Sequence, residues 1–305
     1  MKLGKNSLKA ISTFKHLDSY KISENEADGQ IELFQLPING RNFDYDTVSS
    51  KLLESVADYA LSWRIKEEYK DQAMLISQKA REKFKEYKSN EGELGELLLY
   101  CFLEGHLKAP KILSKLELKT SNKMYVNGSD GIHLKKLKDS NYQLIFGESK
   151  MYKRINDGLT SAFESIYEFK NEINSKGTNK SGINFEKGLI SSHIDEKTFD
   201  QEDEKILTAL LYPQNIIEDK IQIDDCYAIF LGYEIEILNE QKKFNNEQFE
   251  KEIEIKIKSE IINFKDKIYN KIEENKLIGS TFYVYILPFT EIELNRKKIL
   301  GQVLI

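Results

Sequence analysis

Between positions 128 and 152 apolar and polar side chains alternate on both flanks of a short polar turn, and this pattern constrains the fold more than any other. Strand side chains point to opposite faces with period two. The alternation predicts one strand over 128–137, with Ile132 and Leu134 facing the same way as Asp130. A second strand is predicted over 142–152, with Leu144, Phe146, Glu148 and Lys150 on one side. Lys138-Asp139-Ser140-Asn141 supplies the turn, from residue types that turns favour. Asp130 and Glu148 are separated by 17 residues, enough for two short antiparallel strands, and hairpin pairing brings their carboxylates close.

An Asp followed by Glu-x-Lys is the residue set that metal-dependent phosphodiester hydrolysis needs. A divalent cation gathers charge on the phosphate and lowers the pKa of an attacking water. Hard cations such as Mg²⁺, and Mn²⁺ after it, take oxygen ligands. Asp130, Glu148 and the backbone carbonyl of Ser149 supply them, and Lys150 stands on the face of Glu148, where its ammonium can orient the water. Upstream, Gly92-Glu93-Leu94-Gly95-Glu96 opens a helix whose apolar residues are Leu94, Leu97, Leu98, Cys101, Phe102 and Leu103. Glu93 and Glu96 share a face of it, as residues three apart do, so either can complete the metal shell. The plainer reading makes them first-turn carboxylates that stabilise the helix dipole.

The order and spacing of these motifs resemble the PD-(D/E)xK nuclease superfamily, with Ser129 where a proline often precedes the Asp. The segments GELGE, SKLELKTSN, NGSDGIHL, LIFGESK and GLISSH, over roughly residues 91–193, resemble more closely the HamA family, the nuclease subunit of the Hachiman antiphage defence system. The resemblance implies a mixed α/β fold with a restriction-endonuclease-like αβββαβ core and added helices at both ends. It further implies a Mg²⁺-dependent deoxyribonuclease of little sequence specificity. Its expected partners are DNA and, in a heterodimer, an ATP-dependent superfamily 2 helicase subunit (HamB-like) that senses abnormal DNA and releases cleavage. Two alternatives stand beside this: a sequence-specific restriction endonuclease, and a catalytically silent DNA-binding or helicase-docking subunit.

The rest of the chain is read around that core. Segments 1–90, 91–236 and 237–305 are expected to form an N-terminal arm with helical scaffold, the nuclease core, and a C-terminal helix–strand–helix packed on it as one unit. Residues 12–20 and 31–36 read as strands, Asp44 or Asp46 as a helix cap, and 67–87 as a second helical run. Residues 115–120 alternate as the first core strand. Asn156 or Asp157 caps a helix running to about Glu172, on which Thr160 or Ser161 can face substrate, as the superfamily resemblance implies. A loop-rich stretch follows over 174–200, with 188–193 as a short ordered element, then a short helix over 204–212. Apolar residues 226–231 read as a buried fourth core strand, the mark of a strand covered on both faces. Phe249, Ile253, Ile257, Ile261, Phe264, Ile268 and Ile272 mark one amphipathic helix of six turns. Residues 281–287 make a strand stopped by Pro288, and 290–300 a last helix.

The net charge of −5 conceals a local excess: residues 108–154 hold eleven Lys/Arg against four Asp/Glu. Such a segment is either a phosphate-facing patch or a set of solvated strand edges. Cys101 and Cys226 lack zinc or disulfide spacing. No apolar run approaches the length of a membrane span, and a cytoplasmic location is expected. GxxxxGK[ST], GxSxG, HExxH and GxGxxG are absent. His106 reads as a helix-end residue, and His133 should face away from Asp130.

Overall fold

The computed structural model describes residues 3–25, 28–84, 92–114, 116, 128–138, 141–193 and 222–304. The strands are β1 (Lys15–Lys21), β2 (Gly29–Gln35), β3 (Ile38–Asn39), β4 (Asn42–Phe43), β5 (Lys111–Ser114), β6 (Gly131–Lys136), β7 (Asn141–Tyr152), β8 (Gln222–Glu234) and β9 (Thr281–Phe289). The helices are α1 (Lys5–Ile11), α2 (Tyr45–Ala60), α3 (Trp63–Glu68), α4 (Ala73–Lys83), α5 (Glu93–Gly105), α6 (Ile155–Asn171), α7 (Ile183–His193), α8 (Leu238–Lys243), α9 (Asn246–Ile261), α10 (Phe264–Glu274) and α11 (Ile292–Leu304). Among the described residues seven strands form one mixed sheet in the order β1-β2-β9-β8-β7-β6-β5. Strands β5, β6 and β7 form an antiparallel meander, while β7, β8, β9 and β2 run parallel. The fold is mixed α/β, and strands from both ends of the chain share a sheet with the central hairpin.

The apolar character of β8 follows from its place in the middle of this sheet. Tyr227 and Phe230 lie three apart and so face opposite sides. Phe230 stacks on Phe102 of α5 at 5.9 Å, and Tyr227 on Phe282 at 5.4 Å, which meets Phe163 of α6 at 5.4 Å. Helix α5 therefore covers one face and α6 the other. Every residue of α5 is buried, between the sheet and helices α1 and α2. Complete burial of one Leu or Phe side chain is worth about 1.5–3 kcal/mol, so this helix is a major anchor of the core. Cys101 and Cys226 are buried free thiols, pushed up to about 12 by burial. No described helix is long and apolar enough to cross a membrane.

Several elements differ from the sequence reading. The strand that pairs with β6 is β5, with a register shift between Lys111 and Leu113; most of the strand expected over 115–120 lies outside the described residues, as does the helix expected over 204–212. Pro288 does not stop β9, which continues to Phe289. The ladder to β2 has ended by then, at Leu33↔Ile286, and a proline with pairing on one side only is tolerated. The six-turn helix is broken at Ile262 and Asn263 into α9 and α10. All seven of its expected apolar residues are nevertheless buried. Helix α6 begins at Ile155 without a side-chain cap, and Arg154 instead pairs with Asp157 at 2.7 Å. The run over 67–87 resolves into α3 and α4, and α1 precedes the first strand.

Gly29 starts β2 with φ +101°, and a Cβ there would lie 1.8 Å from the Phe282 carbonyl oxygen of the neighbouring strand. Gly177 also has positive φ (+71°) but open space around it. Gly29→Ala is expected to cost about 3 kcal/mol or more, and Gly177→Ala about 1 kcal/mol, in urea unfolding.

Candidate active site

The hairpin register sets the site. Gly131 pairs with Gly147, and Asp130 N–H donates to the Gly147 carbonyl at 2.8 Å. The next step outward therefore puts Asp130 beside Glu148. Asp130 Oδ2 accepts from the Ser149 N–H at 2.8 Å and from the Ser149 hydroxyl at 2.7 Å. Ser149 faces α5, where a Cβ on Gly95 would come within 3.1 Å of its hydroxyl oxygen. The second glycine of the GELGE segment thus lets the helix close on the residue that orients Asp130.

Glu148 and Lys150 point to the other face of β7, beneath α6, and form an ion pair at 2.7 Å. Both side chains are mostly covered, at 14% and 20% exposure. Burial pulls the Lys150 ammonium down, but Glu148 and Asp130 outweigh it and hold its pKa above the usual 10.5. Lys150 is therefore a fixed positive charge in the field of both carboxylates.

The first turn of α5 meets the same site from the opposite side. Glu93 and Glu96 are both buried. The Tyr59 hydroxyl of α2 donates to Glu96 Oε2 at 2.9 Å. Burial first, then Glu96, Asp130 and Glu93, push the Tyr59 phenol well above 10. One phenol thus feels three carboxylates, and Asp130 links that group to Glu148 and Lys150. A narrow cleft lined by Tyr59, Glu96, Tyr100, Ser114, Asp130 and His133 lies between α5 and the hairpin.

Two contributors escaped the sequence reading. Tyr59 sits on α2, in the segment read only as helical scaffold, and its hydroxyl is 37 residues from its acceptor. Glu186, on α7 within the stretch read as loop-rich, accepts from both the N–H and the hydroxyl of Ser129 at 2.6 Å. A Cβ on Gly128 would lie 1.8 Å from Glu186 Oε1, so a larger residue there would push the Glu186 carboxylate aside. Glu186 thereby fixes the backbone immediately before Asp130. Only its nearness to the GLISSH segment, which forms the second half of α7, could have drawn notice.

The chain matches the HamA family over residues 11–302. It belongs to the HamA family. Membership implies a subunit of the Hachiman antiphage defence system. No curated protein matches the chain. The HamA match extends well beyond the hairpin motifs and takes in the N-terminal strands and most of α11.

Other expectations for this HamA-family chain fall differently. The basic segment is not a uniform phosphate-facing patch. Lys111 Nζ donates to the carbonyls of Asp58, Tyr59 and Leu61 at the end of α2, where a cation suits the helix dipole. Lys108 donates to the Gly105 carbonyl, and Lys135 lies over the Tyr283 ring. Ser161 receives a hydrogen bond from the Tyr152 hydroxyl at 3.2 Å. Asp130, Glu148 and Glu96 each turn to a protein partner, and among the described residues their ligand atoms form no group of three within 4.8 Å.

His106 ends α5 as expected. His133 does not face away from Asp130: both line the cleft, because Asp130 lies before the first paired residue of β6. His133 packs against Tyr100 at 6.0 Å and meets the Ala109 carbonyl through Nδ1 at 2.8 Å. A carbonyl only accepts, so Nδ1 carries the proton. Burial depresses the His133 pKa from 6.5 to about 4. The unfolded chain then binds the extra proton first, so stability is full above pH 6.5 and falls as pH drops toward 4. Urea unfolding is expected to lose about 3 kcal/mol over that window from this group, and His133→Asn should flatten the dependence.

Proposed function

We propose that this chain is a metal-dependent DNA endonuclease, the effector subunit of its defence complex. The observation that carries the reading is the juxtaposition of Asp130 and Glu148 by hairpin register, with Lys150 paired to Glu148 and in the field of Asp130. A PD-(D/E)xK core is supported by a buried helix carrying Glu93 and Glu96, an antiparallel β5–β6–β7 meander, helix α6 and parallel β8.

The residues suit a hard divalent cation, Mg²⁺ or Mn²⁺. Asp130 and Glu148 bring anionic oxygens, Ser149 a backbone carbonyl, and Glu96 a further carboxylate. The phenol of Tyr59, pressed by three carboxylates, marks an excess of negative charge that a cation offsets. When bound, the cation supplies Lewis-acid charge and a water of lowered pKa. Lys150 aims its N–H donors at the attacking water or at the phosphate oxygens where charge develops. Ser149 holds Asp130 in place, Tyr59 holds Glu96, and Glu93 and Glu96 position waters at the rim of the site. Water attacks phosphorus in line, one P–O ester bond breaks, and the leaving oxygen takes a proton.

No phosphate-binding GxxxxGK[ST] loop occurs in the sequence. We therefore assign ATP hydrolysis to a separate helicase subunit of superfamily 2, HamB-like, held in a heterodimer that restrains cleavage until abnormal DNA is met. Cleavage then proceeds with little sequence preference.

Plasmid and linear DNA incubated with Mg²⁺, with and without the helicase and ATP, test this reading. Lys150→Ala and Glu148→Ala should each lower cleavage at least about 10²-fold with unfolding midpoints little changed. Discrete fragments from one recognition sequence would indicate a restriction endonuclease. DNA or helicase binding without cleavage in any combination would indicate a silent subunit.

A further inference from the structure

A second group of metal-ligating side chains lies at the other end of α5. His16 of β1, Glu32 of β2 and His106 at the end of α5 place one ligand atom each within 4.8 Å of one another. His16 Nε2 and Glu32 Oε2 are 2.6 Å apart, and the Ser19 hydroxyl donates to the same Glu32 oxygen at 2.6 Å. Glu32 is 4% exposed, whereas the His16 side chain is 42% exposed. The cluster therefore has a buried anionic base and an open side.

The backbone builds this arrangement. Ordinary alternation would put His16 and Ser19 on opposite faces of β1. A register shift between His16 and Asp18 leaves Leu17 as the extra residue, so His16 pairs with Phe34 and Ser19 with Glu32. Phe34 and Glu32 share a face of β2, and the bulge thus turns His16 and Ser19 to the same side. Bulges are a recurrent means of re-aiming a side chain at a site. His106 is oriented by the Tyr285 hydroxyl, 3.3 Å from its Nδ1. Both imidazoles rest on the Phe34 ring, at 4.8 and 5.3 Å between centroids, which screens the cluster from water beneath.

We propose that His16, Glu32 and His106 form a second cation site, for a borderline divalent transition ion with Zn²⁺ as the reference case. Imidazole selects such ions, while all-oxygen sets suit Mg²⁺. Zinc takes nitrogen and carboxylate ligands at about 2.0–2.2 Å, often with water in a fourth position. That geometry separates ligand atoms by about 3.4 Å, so His16 and Glu32 move apart slightly and the wider pairs close. The open side by His16 leaves room for the fourth ligand. Bound there, the ion ties the edge strand pair β1–β2 to the C-terminal end of α5. The site is separate from the carboxylates at the helix start, since Glu96 and His106 are about 15 Å apart along the axis.

Full-length protein freed of metal with chelator is titrated calorimetrically with Zn²⁺, and Co²⁺ serves as a probe through its visible absorption bands. Besides any ion taken up at Asp130 and Glu148, one equivalent is expected to bind the histidine cluster at micromolar concentration or below, to persist in Asp130→Asn, and to raise Tm. His16→Ala, at a half-exposed position, and His106→Gln should each weaken binding at least about tenfold, while Asp130→Asn leaves it unchanged. Absence of stoichiometric binding, wild-type affinity in both histidine variants, or loss of this binding in Asp130→Asn would overturn the proposal. If Glu32→Gln also folds, its loss of the Co²⁺ bands supports the assignment, and retained bands contradict it.

Discussion

Burial of α5 is the constraint on which the rest of the structure depends. A helix with all of its residues buried has no solvated side for its charges, yet this one carries Glu93, Glu96 and Glu104. Burying an unpaired carboxylate is costly, so each needs local compensation. Glu104 receives the backbone N–H groups of Gly4 at 2.5 Å and Lys111 at 2.9 Å. Burial raises its pKa even against those donors. It is a structural carboxylate that ties α1 and the start of β5 to the central helix.

The other end is built differently. Glu96 has the Tyr59 hydroxyl as a donor, and Asp130 stands close enough to both for its charge to act on the same phenol. Across the sheet, Lys150 stands against Glu148 with Asp130 also in reach. Carboxylates therefore converge on the start of α5 from the helix and from the hairpin. A fold gains no stability from assembling such a group for its own sake, and this is the physical ground for the cation site proposed there.

What was legible in the sequence was local. Period-two alternation put Lys150 on the face of Glu148, and the turn brought the two strands together. But Asp130, expected on the side of Ile132 and Leu134, precedes the paired residues and turns to Ser149 and the cleft below α5 instead. The buried run of β8 and the apolar stripe of α9 and α10, in steps of three or four residues, were equally visible. The break at Ile262 was not, because the step from Ile261 to Phe264 keeps the apolar stripe in phase. Strand β5 is four residues long and irregular in register, so it has no alternation to read. Tyr59 and Glu186 act over 37 and 57 residues, through contacts that only the assembled fold creates. The lysines of residues 108–154 looked alike in the sequence, but Lys111 caps a helix and Lys135 covers an aromatic ring.

The most direct test of the central claim is to locate the metal. Crystals soaked in Mn²⁺ and measured at a wavelength where manganese scatters anomalously should show a peak between Asp130, Glu148 and the Ser149 carbonyl, absent in Asp130→Asn. At saturating Mn²⁺, density confined to other positions, or none, would contradict the account, and the carboxylates around α5 would then be a structural charge network.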